Sequence, residues 1–465
     1  MENEKVLHVV MFPFFAFGHI SPFAQLANKL SSHGVKVSFF TASGNASRLR
    51  SMLNSAPTTT HIDIVPLTLP HVEGLPPGSE STAELTPVTA ELLKVALDLM
   101  QPQIKTLLSH LKPHFVLFDF AQEWLPKMAD ELGIKTVFYS VFVALSTAFL
   151  TCPARVTEPK KYPTLEDMKK PPLGFPHTSI TSVKTFEAQD FLYIFKSFNN
   201  RPTVYDRVLS GLKGCSAILA KTCSQMEGPY IEYVKSQFKK PVLLVGPVVP
   251  DPPSGKLEEK WDAWLNKFEA GTVIYCSFGS ETFLKDDQIK ELALGLEQTG
   301  LPFFLVLNFP ANVDASAELN RGLPEGFRER VKEKGVIHSG WVQQQHILAH
   351  TSVGCYVCHA GFSSVIEAFM NDCQVVMLPQ KGDQLLNAKL VSGDMKAGVE
   401  VNRRDEDGYF SKDDIEEAVE KVMVEKVIRE NQKKWKEFLL NKDTHSKFVE
   451  DLVHDMMAMA KLSTT

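Results

Sequence analysis

The chain lacks several features that would each have assigned it to a class. No apolar run is long enough for a membrane span. The longest candidate, "VFYSVFVALSTAFL" at Val137–Leu150, is interrupted by Ser140, Ser146 and Thr147 and falls short of the ~20 residues a bilayer demands. The opening "MENEKVLHVVMF" carries acidic residues where a secretory leader needs a basic segment. Positive charge is not in excess. A net charge of −6 argues against nucleic acid or an anionic membrane as partner. Cysteine is scarce and odd in number, seven in 465 residues, which excludes a disulfide framework and suits reduced thiols. The first βα turn, "FPFFAFGHISPF", lacks the G-x-G-x-x-G of dinucleotide sites. What remains is a cytoplasmic globular protein, expected to be monomeric and to handle small molecules.

What the sequence does have is strand–helix alternation, twice. "VLHVVMFPF", "VKVSFFTA", "HIDIVPL", "HFVLFDF", "KTVFYSV", "SAILAKT" and "PVLLVGPVV" are short apolar runs separated by helix-like segments. Ser21-Pro22 reads as the N-cap and first residue of a helix carrying Phe23, Leu26, Ala27 and Leu30 on one face. From Cys152 to Thr185 the chain is rich in proline, including Pro159, and reads as loops over one end of the first domain. "PDPPSGKLEEK" (250–260) has linker composition. A second series then begins with "TVIYCSFGS" and continues through "PFFLVL", "VIHSG", "VGCYVCH" and "QVVMLP". Two α/β domains with mostly parallel sheets follow, with ligands expected beyond the carboxyl ends of the strands.

"VGCYVCHAGFSSVIEA" (353–368) is ambiguous as a motif. Cys355-x-x-Cys358-His359 matches the haem c attachment pattern. Its surroundings read instead as a strand, a turn at Ala360-Gly361, and a helix capped near Ser363 and Ser364. Such a helix N-terminus is a phosphate site, with His359 beside it. "CSFGSETF" repeats the device at Gly279-Ser280. Two such turns in one domain point to a diphosphate, and the cysteines then read as small core residues. A zinc reading fails because no second cysteine pair has matching spacing. His346 and His350 lack the intervening glutamate of a metalloprotease helix. Asp405-Glu406-Asp407 has the D-x-D form of metal-dependent sugar transferases but sits in what reads as an exposed turn. In the first domain His19 and Asp119 both fall at strand ends, making a candidate general-base pair.

The segment from Trp341 to Gln384 resembles the signature box of plant UDP-dependent (family 1) glycosyltransferases. It has the opening Trp341, Gln344, "H-x-S-V-G" at His350–Gly354, "H-x-G" at His359–Gly361, Ser364, Glu367, Pro379 and the closing Asp383-Gln384. "FGHISPF", "FDF" and "YCSFGS" are similar to further family motifs, so the resemblance covers essentially the whole chain. It implies the GT-B fold, an α/β architecture of two facing Rossmann-like domains. Residues 1–245 would bind the acceptor, 246–262 would link, 263–445 would bind the UDP-sugar, and 446–465 would form a helix packing back on the first domain. It implies that Trp341 stacks on uracil and that Val342 and Gln344 help hold the base. Glu367 would take the ribose hydroxyls, Ser280, His359, Ser363 and Ser364 would address the diphosphate, and Gly361 and Phe362 would belong to the same donor site. Asp383 and Gln384 would hold sugar hydroxyls, His19 would be the acceptor's base, and Asp119 would orient it. Phe120 and Phe142 are expected at the acceptor pocket.

Phe362 and Ser363 depart from the commonest family residues, Trp and Asn. "GHISPF" and "GLPPGSEST" (74–82) resemble the branch that extends flavonoid and anthocyanidin glycosides. The expected reaction is an inverting transfer to a phenolic glycoside that needs no metal or cofactor, the UDP-sugar being a co-substrate. UDP-glucose is the favoured donor on the strength of Gln384, with UDP-xylose and UDP-rhamnose as rivals. The other readings are a transferase acting on an aglycone or terpenoid, and a non-catalytic sugar-nucleotide binder.

Overall fold

The computed structural model describes residues 6–461 apart from 54–61, 83–84, 159–160, 251, 281 and 311–312. Pro159 of the proline-rich stretch therefore lies outside the described residues. The apolar runs are strands, most of them buried along their length, and all pair in parallel. The first half carries β1 His8–Phe12, β2 Lys36–Ala42, β3 Ile62–Leu67, β4 Phe115–Phe118, β5 Lys135–Ser140, β6 Ala217–Ala220 and β7 Val242–Leu244. They form a seven-stranded sheet in the order β3-β2-β1-β4-β5-β6-β7. The second half carries β8 Val273–Ser277, β9 Phe303–Val306, β10 Gly335–His338, β11 Val353–Cys358, β12 Gln374–Met377 and β13 Val399–Glu400, ordered β10-β9-β8-β11-β12-β13.

Both sheets reverse direction of travel at their centre, between β1 and β4 and between β8 and β11. A crevice opens beyond the carboxyl ends of the strands at such a switch point. Register aligns the exits: Phe12 pairs with Phe118 in the first sheet, and Ser277 with Cys358 in the second.

The suspicious apolar run is a strand and a turn of helix, not a span. It becomes β5 and the buried helical segment Ala144–Thr151. Among the described residues no helix is long and apolar enough to cross a membrane. The last helix, Lys442–Ala460, returns to the first domain. Its Val449, Leu452 and Met456 join the core made by Ile20, Phe23 and Leu30 of the helix Phe17–Ser32.

Residues of the proline-rich stretch and its neighbours also tie the first domain to the second. Ser179 donates its N–H to Asp394, and Tyr230 donates to the same carboxylate at 2.5 Å. The Thr185 hydroxyl donates to Asp405 at 2.5 Å, and Glu187 pairs with Lys389 at 2.9 Å. Asp190 accepts the N–H of Gly382 at 2.6 Å.

The glycine of "H-x-S-V-G" has a steric reason. Gly354 sits where β11 shifts register against β8, and a Cβ there would collide with the Gly271 carbonyl. Backbone cannot swing aside as a side chain can. Gly354→Ala is expected to cost roughly 1–3 kcal/mol of stability, read as a lower midpoint in chemical denaturation. An unchanged midpoint would show that β11 has slack at this point.

Candidate functional site

His19 and Asp119 meet across the first crevice. The Nδ1–Oδ2 distance is 2.6 Å, and the two side chains are 13% and 3% exposed. Asp119 leaves β4 directly and is held by the backbone N–H of Phe120 to Oδ1 at 2.7 Å and of Phe14 to Oδ2 at 3.3 Å. A carboxylate only accepts, so the imidazole proton sits on Nδ1 and the Nε2 lone pair is left for a substrate. Three rings wall the imidazole: Phe14, Phe120 and Phe142, with centroids 5.6, 5.5 and 5.5 Å away. They offer an apolar surface beside the imidazole to a flat ligand.

The helix carrying His19 starts earlier than Ser21-Pro22 suggests. It runs Phe17–Ser32 with Ala16 as cap and Pro22 inside. His19 thus belongs to the first turn, with its N–H and that of Ile20 both on the Ala16 carbonyl. The helix is pinned by its buried face, including Ile20 and Phe23, and this outweighs the local signal of Ser-Pro.

In the second crevice the two turns after β8 and β11 converge on His359. A Cβ on Gly279 would lie 3.1 Å from its Cε1, and one on Gly361 would lie 2.6 Å from its Nε2. Both glycines are required for that approach. Gly361, not Ser363 or Ser364, caps the helix Phe362–Met370. A glycine cap leaves the first N–H groups without a side-chain acceptor, so they remain open to an anion. Ser363 is exposed and Ser364 half-buried within that first turn, and Ser280 is exposed opposite. Phe362 is 8% exposed and packs inward with Val365 and Ile366. Among the described residues His359 Nδ1 is enclosed without a partner. That enclosure, with Lys381 nearby, pushes the ring down to about 4, so it is a neutral donor or acceptor at pH 7 and not a cation.

Further along the same helix, Glu367 accepts from the Gln344 amide at 2.7 Å. The Gln344 oxygen in turn accepts from Ser277 at 3.0 Å and Tyr356 at 3.1 Å. Gln344 therefore orients Glu367 and has little left for a ligand. The Val342 carbonyl takes the Gln344 N–H. Trp341, beside them, is 80% exposed at the rim. Asp383 opens the helix Asp383–Lys389 and accepts from Asn387 at 3.0 Å, and Asn387 also holds the Ala360 carbonyl at 3.0 Å. Gln384 turns its oxygen to the N–H groups of Gln380 and Lys381, at 3.0 and 3.3 Å.

Asp383 lies within electrostatic reach of both His19 and Lys221, groups of the first domain. The two crevices therefore face each other and make one cleft. Phe14, Asn387, Asp190 and Lys221 all belong to it, and none stood out in the sequence. Lys221 carried the one available signal, a charge at the end of the strand "SAILAKT".

Cys355 and Cys358 point into different cores on opposite faces of β11, so no single haem could take both. Asp405 is engaged with Thr185 and Asp407 with Arg404.

A family model described as "UDP-glucoronosyl and UDP-glucosyl transferase" matches residues 182–446, more than half of the chain. Over the full length of both proteins the chain is 83% identical to the anthocyanidin-3-O-glucoside rhamnosyltransferase of Petunia hybrida. This chain belongs to the UDP-glycosyltransferase family. It is also 40% identical to the anthocyanidin 3-O-glucoside 2''-O-glucosyltransferase of Ipomoea nil, over 95% of this chain and 96% of that one. The branch suggested by "GHISPF" is thus borne out. Among solved structures, Glycyrrhiza uralensis UGT73P12 with glycyrrhetinic acid 3-O-monoglucuronide superposes with a TM-score of 0.78 at 22% identity. The match covers 98% of this chain and 97% of that one. The glycosyltransferase has the GT-B fold.

The His359 shift has a pH signature. Its folded value of about 4 lies below the unfolded value of 6.5, so between them the unfolded chain binds more protons. Stability from this group is fully present above pH 6.5 and is lost as pH falls toward 4. Unfolding free energies of wild type and His359→Gln across pH 4–7 check this. The variant should show the shallower slope, and identical slopes would mean that the ring protonates freely in the fold.

Proposed function

We propose that this glycosyltransferase moves a rhamnosyl unit from UDP-rhamnose to a sugar hydroxyl of an anthocyanidin 3-O-glucoside, with inversion and without a metal ion. The observation that carries the substrate assignment is the 83% full-length identity to the Petunia hybrida rhamnosyltransferase. The preference for UDP-glucose rested on a Gln384 amide free both to donate and to accept. Its oxygen already receives two N–H groups, and an amide oxygen has two lone pairs. The amide can donate to a sugar but has nothing left with which to accept.

His19 Nε2 removes the proton from the acceptor hydroxyl as that oxygen forms a bond to the anomeric carbon. The bond from that carbon to the UDP oxygen breaks on the opposite face, and UDP leaves with the electron pair. Asp119 holds Nδ1–H and stabilises the imidazolium as it forms. An alkyl hydroxyl is far less acidic than a phenol, so proton removal must accompany attack. Open N–H groups at the start of the helix Phe362–Met370, with Ser280, His359, Ser363 and Ser364, meet the charge on the diphosphate. Trp341 stacks on uracil, Glu367 takes the ribose hydroxyls, and Asp383 and Gln384 hold the transferred sugar. The seven cysteines are free and buried, which supports a reducing, cytoplasmic setting.

Three donors and two acceptors test the substrate reading. UDP-rhamnose, UDP-glucose and UDP-xylose are each offered with an anthocyanidin 3-O-glucoside and with the bare aglycone. Rhamnosylation of the glucoside is expected to lead in kcat/KM by at least about tenfold, or ~1.4 kcal/mol. A lead for glucose or xylose, or for the aglycone, would replace it.

His19→Ala should lower kcat by ~10²–10⁴-fold with UDP affinity nearly unchanged, and saturating EDTA should leave the wild-type rate unaltered. A near wild-type rate for the variant would remove His19 as base. A collapse with EDTA that Mn²⁺ restores would bring a cation into the reaction.

A further inference from the structure

The cleft holds a cation that the mechanism above does not use. Lys221 follows β6 directly, at the same carboxyl edge of the first sheet that presents His19 and Asp119. It is 9% exposed. Among the described residues its ammonium makes neither a hydrogen bond nor an ion pair, and the two carboxylates near it are Glu227 and Asp383. Each oxygen of Glu227 already accepts one N–H, from Ala144 at 3.0 Å and from Leu145 at 2.8 Å, and the lysine is not within ion-pair distance of either. Asp383 stands on the other domain, beyond ion-pair range, with one oxygen on Asn387. Burial draws the lysine down to about 8, so it is still mostly protonated at pH 7. The side chain is buried, but its ammonium reaches the cleft with its donors free to meet a ligand there.

We infer that Lys221 and Asp383 form a clamp across the cleft for a hydroxyl group of the transferred sugar, making Lys221 a determinant of donor specificity. An ammonium has three donors and no acceptor, and a carboxylate has only acceptors. A hydroxyl between them satisfies both, donating its proton to Asp383 and accepting from Lys221. Neither residue can do this alone, and a sugar hydroxyl placed between them would bridge the two. Because Asp383 addresses the sugar only in the transferase reading above, the clamp rests on that reading. A purely structural Lys221, there to offset Glu227 and Asp383, would not distinguish a sugar nucleotide from UDP alone.

The test uses that difference. The wild-type donor panel first fixes which UDP-sugar is used, so failure of the rhamnosyl assignment is seen before any variant is read. Lys221→Met, similar in length and without donors, is then assayed with that UDP-sugar, and UDP is assayed as an inhibitor. The expected result is a loss of roughly 10- to 100-fold in kcat/KM for the donor, with the inhibition constant of UDP within twofold of wild type. Combining it with Asp383→Asn should cost much less than the product of the two single losses. A parallel loss of UDP affinity, an effect confined to the acceptor KM, or no change would each overturn the clamp. Should Lys221→Met fail to fold, Lys221→Arg keeps the charge and moves the donors. It should shift the ratio of kcat/KM between UDP-sugars while leaving UDP inhibition alone, and an unshifted ratio would equally overturn it.

Discussion

The bond between His19 Nδ1 and Asp119, 2.6 Å long, is the contact on which the site depends. It joins residues separated by 100 positions in sequence, and it exists because β1 and β4 are neighbours although two other strands lie between them in the chain. The switch in strand order opens the crevice, and the crevice lets an imidazole and a carboxylate meet at the sheet edge. Two backbone N–H groups fix the carboxylate, the carboxylate fixes the imidazole tautomer, and the tautomer points its lone pair at the cleft.

The second domain repeats the topology and uses it differently. At its switch point two glycine-bearing turns approach His359, and a helix begins with its N–H groups open. What lines that point is backbone N–H groups and a neutral ring, with no cationic side chain at the cap among the described residues. The two halves become one site through contacts made mainly by the residues just before and within the helix Thr185–Phe191. Asp190 takes the N–H of Gly382, the residue before Asp383, so one carboxylate of the first domain holds the turn that opens the helix Asp383–Lys389 in the second. The Glu187–Lys389 pair and the Thr185–Asp405 bonds brace the same joint.

Much of this was legible in the chain. Strands of a doubly covered parallel sheet are continuous apolar runs, and "VLHVV", "HFVLF" and "VGCYVC" are all of that kind. His19, Asp119, Gly279, His359 and Gly361 were visible because strand ends in parallel sheets lie at one level. Helix starts were misread by local signals: Ser21-Pro22 and Ser363-Ser364 look like caps, yet buried Ile20 and Phe362 pull both helices back to begin earlier. Asp190 and Asn387 were invisible for a different reason, and Lys221 showed only as a charge at the end of "SAILAKT". Their roles come from what faces them across the cleft or a turn, and no spacing along the chain records that. Gln384 shows the converse. Its identity was clear, but its acceptor capacity was spent on neighbouring backbone.

The central claim is that His19 Nε2, freed by Asp119, faces the hydroxyl that attacks. The most direct measurement is a crystal structure of the protein with a non-transferable UDP-sugar analogue and an anthocyanidin 3-O-glucoside bound together. A sugar hydroxyl of the acceptor should lie within hydrogen-bond reach of Nε2, about 2.6–3.2 Å, with the anomeric carbon of the donor on the far side of that oxygen. An acceptor whose hydroxyls all face away from His19, in a complex otherwise poised for transfer, would contradict it.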